Sequence, residues 1–192
     1  MSKLIDIHTH HPTDEVITPT TVGIHPWDAA SANIASIEPK VADADMVGEI
    51  GLDAVCKVDF EQQLSIFRKQ LDLAERYNKP VILHCVHTFE QIMKVLAGYN
   101  LRAVIFHGFI GSPEQAKRAV ERGYFLSFGE RTFRSPKTIK SLQQTPINQL
   151  FIETDESPTP IVEIYTKIAD LRGVAVEQLT IITKENLERI LG

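Results

Sequence analysis

Leu4-Ile5-Asp6-Ile7-His8-Thr9-His10-His11 is the stretch on which the reading of this chain turns. Residues 4–7 are aliphatic and β-branched around one acid, the composition of a short buried strand. Side chains alternate along a strand, so Asp6, His8 and His10 share one face and Ile5, Ile7 and Thr9 the other. Two imidazoles spaced about 7 Å apart along one face can grip a single divalent ion. An isolated His-x-His also fits a core histidine followed by loop, and the remainder of the chain decides between the two readings.

Working outward, the chain alternates short apolar runs with amphipathic ones. Strands are expected to begin at Leu4, Thr21, Met46, Val81, Ala103, Tyr124 and Leu150, seven in all. Between them, Asp28 is the expected cap of a helix with Ile34 and Ile37 on its apolar edge. Asp59 and Gln62 have capping-box spacing ahead of a stripe at Phe60, Leu64, Phe67, Leu71 and Ala74. Thr88 with Gln91, and Ser112-Pro113 with Gln115, mark two further helix starts. Two amphipathic segments, 160–172 and 176–191, close the chain.

Short apolar strands alternating with helices predict a parallel sheet covered by helices. The polar residues decide which kind. His8, His10, His25, Glu49, His84, His107 and Asp155 fall at or near the C-terminal ends of strands, where α/β folds build their sites. An open sheet would draw its ligands from two or three strands at one switch point. Here six strands contribute, which predicts closure into a TIM-like (β/α) barrel of seven parallel strands.

At 192 residues, one domain, 1–192, is expected. A net charge of −5 gives no global basic field, so any nucleic-acid contact has to be local. No apolar run is long enough for a membrane span. The two cysteines, Cys56 and Cys85, make no disulfide framework, and the expected location is the cytoplasm.

Seven stretches form one pattern: His8-Thr9-His10, Gly23-Ile24-His25-Pro26-Trp27, Gly48-Glu49-Ile50-Gly51-Leu52-Asp53, Pro80 with His84, His107-Gly108-Phe109-Ile110-Gly111, Glu153-Thr154-Asp155 with Pro158, and Asn186 with Arg189. Together they resemble the TatD family of metal-dependent nucleases. The chain departs from that pattern in three places. Residues 11–20 replace a helix and a strand, so the barrel is short by one βα unit. His84-Cys85-Val86 stands where the family has His-x-Arg, and Glu156 is inserted before Pro158.

The resemblance implies two divalent ions (zinc, manganese or magnesium) and hydrolysis of phosphodiesters, DNA above all, by metal-activated water. His8, His10 and Asp155 would hold one ion, with Glu49 bridging to a second held by His84 and His107. Asp155 and Glu49 are the catalytic carboxylates on this reading, and Asp155 orients or deprotonates the water. His25 would touch the scissile phosphate, and Arg131 and Arg134 would supply local positive charge for substrate. Asp6, on the face of the histidines, is expected to support one of them by a hydrogen bond. The missing βα unit leaves apolar surface that a second copy could cover, so a monomer or homodimer is expected. The alternatives are a hydrolase of a small amide, lactone or phosphate ester, and a non-catalytic metal-binding protein.

Overall fold

The computed structural model describes residues 3–192, which fall into two compact units. One unit is Thr20–Phe106. It contains β1 (Thr21–Val22), α1 (Ile34–Val41), β2 (Met46–Asp53), α2 (Phe60–Arg76), β3 (Val81–Val86), α3 (Phe89–Leu96) and β4 (Val104–Phe106). The four strands pair in chain order and all in parallel. Parallel neighbours need a crossover, and the helices between the strands provide it. Met46, Val47, Ile50, Leu52, Val81, Ile82 and Leu83 are fully buried in this unit, as expected of strands covered on both faces.

Two details of β2 position functional groups. The register runs Val47↔Val81 and then Ile50↔Leu83, so β2 spends three residues where β3 spends two. This is a β-bulge, and it takes Glu49 out of the regular ladder. Just beyond it, Gly51 has a φ of 146°, and a Cβ there would lie 2.0 Å from the His84 carbonyl oxygen. Only glycine lets β2 approach β3 this closely at the height of His84.

Two helix starts differ from expectation. Asp28 lies in a 3₁₀ turn, Pro26–Ser31, and Asn33 caps α1 through its side chain on the Ala35 N–H. Thr88 precedes α3, but its hydroxyl donates to the Leu52 carbonyl at 2.8 Å and makes no cap bond. A β-strand carbonyl outcompeted the helix terminus for that hydroxyl. Asp59, by contrast, caps α2 on the Gln62 N–H as expected.

The other unit is Met1–Pro19 with His107–Gly192. It contains α4 (Pro113–Glu121), β5 (Phe125–Phe128), α5 (Pro136–Gln144), β6 (Leu150–Ile152), α6 (Ile161–Arg172) and α7 (Val176–Leu191). Strands β5 and β6 pair in parallel. Ser112 and Gln115 form a reciprocal capping box on α4, as their spacing predicts. Asn186 on α7 donates to the carbonyls of Ile147 and Leu150, and Arg189 donates to that of Asn148. The closing Asn-x-x-Arg pattern therefore holds the entry to β6.

Six strands are assigned among the described residues, against seven expected. The opening stretch is extended but is held by single parallel bridges, Ile5↔Ile17 and Thr9↔Asp155. Ile7 donates to the Ile152 carbonyl at 3.1 Å, so the stretch lies along β6 without building a continuous ladder. Tyr165 on α6, fully buried, replaces part of that ladder. Its hydroxyl donates to the Ile5 carbonyl at 2.8 Å and accepts from the Ile5 N–H at 3.2 Å. No described helix is long and apolar enough to cross a membrane.

Candidate metal centres

In the unit that carries both termini, His8, His107 and Asp155 present ligand atoms within 4.8 Å of one another. His8 is 7% exposed and its ring centroid lies 4.5 Å from that of His107. His8 Nε2 and His10 Nε2 stand 3.8 and 3.6 Å from Asp155 Oδ1. The Thr9↔Asp155 bridge sets this meeting, because it places the residues flanking Thr9 on either side of one carboxylate. Asp155 itself has a φ of 56°. Aspartate tolerates the left-handed region better than most residues, and side chains held there cluster at functional sites.

A buried acid stands behind His107. Glu153, 1% exposed, accepts from the Gly108 N–H at 2.6 Å and lies 3.5 Å from His107 Nδ1. Burial opposes its ionisation, but His107 and His8 outweigh that and hold its carboxyl below the usual range. Asp6 takes a different role from the one expected of it. Its carboxylate accepts from the N–H and the hydroxyl of Thr154, at 2.9 and 2.7 Å, and so fixes the residue before Asp155. Burial pushes its pKa up to about 6 against the pull of those bonds. A cavity of about 300 Å³ opens beside this cluster, lined by Phe109, Gly129, Arg131, Arg134, Glu153 and Asp155 among others. Arg134 is already paired with Glu130, at 2.7 and 3.3 Å.

In the unit Thr20–Phe106, His25, Glu49 and His84 form a second group within 4.8 Å. His84 stands between two carboxylates, with Nδ1 2.7 Å from Glu49 Oε1 and Nε2 3.2 Å from Asp53 Oδ2. A proton or a cation must sit on the Nδ1–Oε1 line, since two lone pairs cannot face each other at that distance. His25 Nδ1 accepts from the Trp27 N–H at 3.2 Å, so the ring's own hydrogen sits on Nε2. That nitrogen lies 3.2 Å from His84 Nδ1 and 3.5 Å from Glu49 Oε1. In this arrangement His25 is a donor, with Glu49 and His84 the groups suited to a cation.

The supports of this cluster were only partly visible in the sequence. Asp53, 2% exposed, accepts from the Trp27 indole N–H at 2.7 Å and from the N–H groups of Val55 and Cys56. Burial would raise its pKa, but the bonds from Trp27, Val55 and His84 leave it below the usual carboxylate range. Two glutamines of α2, seven residues apart and so on one helix face, hold the strand ends. Gln63 accepts from Asp53 N–H at 2.8 Å and donates to the Asp53 carbonyl at 3.1 Å. Gln70 does the same for Ile24, at 2.6 and 3.1 Å. The available signal was their position: two polar residues facing inward on a helix whose stripe is otherwise apolar.

Residues 8–192 match the family described as TatD related DNase. The chain belongs to that family. It is 31% identical over 192 residues to YabD of Bacillus subtilis, an uncharacterized metal-dependent hydrolase, covering 88% of this chain and 75% of YabD. It is 28% identical to the 3'-5' ssDNA/RNA exonuclease TatD of Erwinia amylovora, covering 90% of this chain and 78% of that protein. Its fold is that of the Escherichia coli TatD homolog YjjV, with a TM-score of 0.82, 24% identity, and coverage of 98% of this chain and 85% of YjjV. Aligned by sequence, the chain spans 75% of YabD and 78% of the Erwinia protein, but only 50% of YjjV. Within a family of metal-dependent hydrolases, two groups of imidazole and carboxylate donors fit divalent cations: both donor types suit zinc or manganese, and carboxylate oxygens also accept magnesium.

Proposed function

We propose that the chain is a metal-dependent hydrolase of phosphodiester bonds, a TatD-like deoxyribonuclease acting on a DNA strand. The observation that carries this reading is the gathering of His8, His107 and Asp155 in one unit and of Glu49 and His84 in the other, each within ligand distance. The expected partition puts His107 with Glu49 and His84; because His107 groups with His8 and Asp155, its ring centroid 4.5 Å from that of His8, we assign His8, His10, His107 and Asp155 to one ion and Glu49 with His84 to another. Held by these side chains, a divalent cation would supply polarisation of a phosphoryl oxygen and a bound water with its pKa lowered toward about 7. Asp155, whose neighbour Thr154 is held by Asp6 and which is flanked by His8 and His10, would orient an attacking water and take its proton. Glu153 holds His107, and Asp53 holds His84, each through the ring nitrogen on its side. His25, with its hydrogen on Nε2, is a donor for a phosphate oxygen. Arg131, exposed on the wall of the cavity beside Asp155, would supply charge to a phosphate bound there, and Arg134 would add to it from its pair with Glu130.

The seven-strand (β/α) barrel short of one βα unit is our reading of the fold, supported by the bridge of Thr9 to Asp155 and the likeness to YjjV. A single working domain in the cytoplasm, as monomer or homodimer, completes the proposal and accords with two unpaired cysteines. A second reading, hydrolysis of a small phosphate ester or lactone, is favoured by the net charge of −5 and by the Arg134–Glu130 pair, which lowers the charge on the cavity wall. Assay of bis-p-nitrophenyl phosphate, a DNA strand and a panel of lactones and monoesters, each with Mn²⁺, Zn²⁺ or Mg²⁺, separates the two. On the nuclease reading both diesters are cleaved, and Glu49→Ala and Asp155→Ala each lose more than about 100-fold in turnover while keeping the native far-ultraviolet spectrum. Full activity in either variant overturns the assignment.

A further inference from the structure

Trp27 is an anomaly of this surface. It is 60% exposed, although it sits beside the candidate ligands, with its ring centroid 4.8 Å from His25 and 6.4 Å from His84. An exposed indole is normally free to rotate, but the ring of this one is held through its nitrogen and its backbone is tied to His25. Its indole N–H donates to buried Asp53 Oδ2 at 2.7 Å, and its backbone N–H donates to His25 Nδ1 at 3.2 Å. Because the one donor of the ring is consumed, what the indole offers to a ligand is an apolar π-surface with no hydrogen-bonding preference.

We infer that Trp27 is a stacking platform for a nucleobase next to the phosphate held at Glu49, His84 and His25. The inference rests on the nuclease reading and names the feature of the substrate that this side of the site recognises. A preset aromatic plane beside a phosphate-binding group is how proteins hold single strands without reading sequence, since every base has a π-face. Pinning by Asp53 lets the ring stack without first losing rotational freedom. The same carboxylate oxygen touches His84 Nε2, so platform and candidate ligand share one anchor. A duplex would keep its bases stacked on each other, so the platform selects for a frayed end or a single strand.

Trp27 is the single tryptophan of the chain, which makes its fluorescence a direct readout. In the metal-loaded protein, thymidine 5'-monophosphate is expected to quench that emission saturably, with deoxyribose 5-phosphate at equal concentration leaving it unchanged. The kinetic arm compares the p-nitrophenyl ester of thymidine 5'-monophosphate with methyl p-nitrophenyl phosphate, which carries no base. The ratio of their kcat/KM values should fall about tenfold in Trp27→Ala, the scale of one base–aromatic stack, with most of the loss in KM. Trp27→Phe keeps a stacking ring but loses the bond to Asp53, so it should retain the ratio even where both rates fall. Equal quenching by both phosphates, or an unchanged ratio in Trp27→Ala, overturns the platform. If neither ester is cleaved the nuclease reading fails instead, and base-dependent quenching still supports the platform on its own.

Discussion

Asp53 shows how one side chain can serve several neighbours. One oxygen takes the Trp27 indole N–H and faces His84 Nε2, and the other takes the Val55 and Cys56 N–H groups. A carboxylate on the far nitrogen of a ligating imidazole fixes ring orientation and raises its basicity. Asp53→Asn keeps the shape but removes the charge, and is expected to weaken metal uptake by about 10–100-fold, measured by competition with a chromophoric chelator. Unchanged affinity would reduce Asp53 to a loop anchor. The candidate ligands were legible because their type and position were both unusual: His8, His10 and Asp155 follow short apolar runs, where further apolar residues would otherwise be expected. Their supports were not. Glu153 reads as one letter of a motif until His107 is seen 3.5 Å away, and Asp6 lies on the expected face yet serves Thr154. Alternation gives a face, but the partner on that face comes from a distant part of the chain.

At the scale of the element, α2 acts as a clamp for the site as well as a crossover. Gln70 satisfies both backbone groups of Ile24, next to His25, and Gln63 does so for Asp53. Gln70 is 1% exposed, and Gln70→Ala leaves the half-buried N–H and carbonyl of Ile24 without their partners, at a cost of about 1 kcal/mol. Urea unfolding should show that loss, and activity should fall further than stability alone explains because His25 loses its position. A variant as stable as the parent would show that water replaces the amide. Helices were the most legible elements: the 160–172 and 176–191 segments match α6 and α7 within a residue. Caps were less so, because Thr88 had a strand carbonyl in reach that no local pattern reveals. The bulge at Glu49 was also hidden, since one additional residue in a strand leaves no compositional trace.

For the whole molecule, candidate ligands come from widely separated parts of the chain, so metal binding and stability are linked. Ions that bind the folded chain alone stabilise it by about 2.7 kcal/mol per site at a hundredfold excess over Kd. For a chain of this length, that corresponds to a rise in Tm of roughly 5–10 °C per filled site. Calorimetry of chelator-stripped protein with and without Mn²⁺ should show it, and an unmoved Tm would mean no preferential binding to the folded state. The strand count was the fold feature least open to sequence. Residues 4–7 have strand composition, but Tyr165 takes both Ile5 backbone groups and leaves single bridges instead of a ladder. The central claim is that two sets of imidazole and carboxylate side chains each hold a divalent ion. Its most direct test is isothermal titration of chelator-stripped protein with Mn²⁺ beside the Glu49→Ala variant. The account predicts two ions per chain for the parent and one for the variant. No uptake by the parent, or two ions in both, would contradict it.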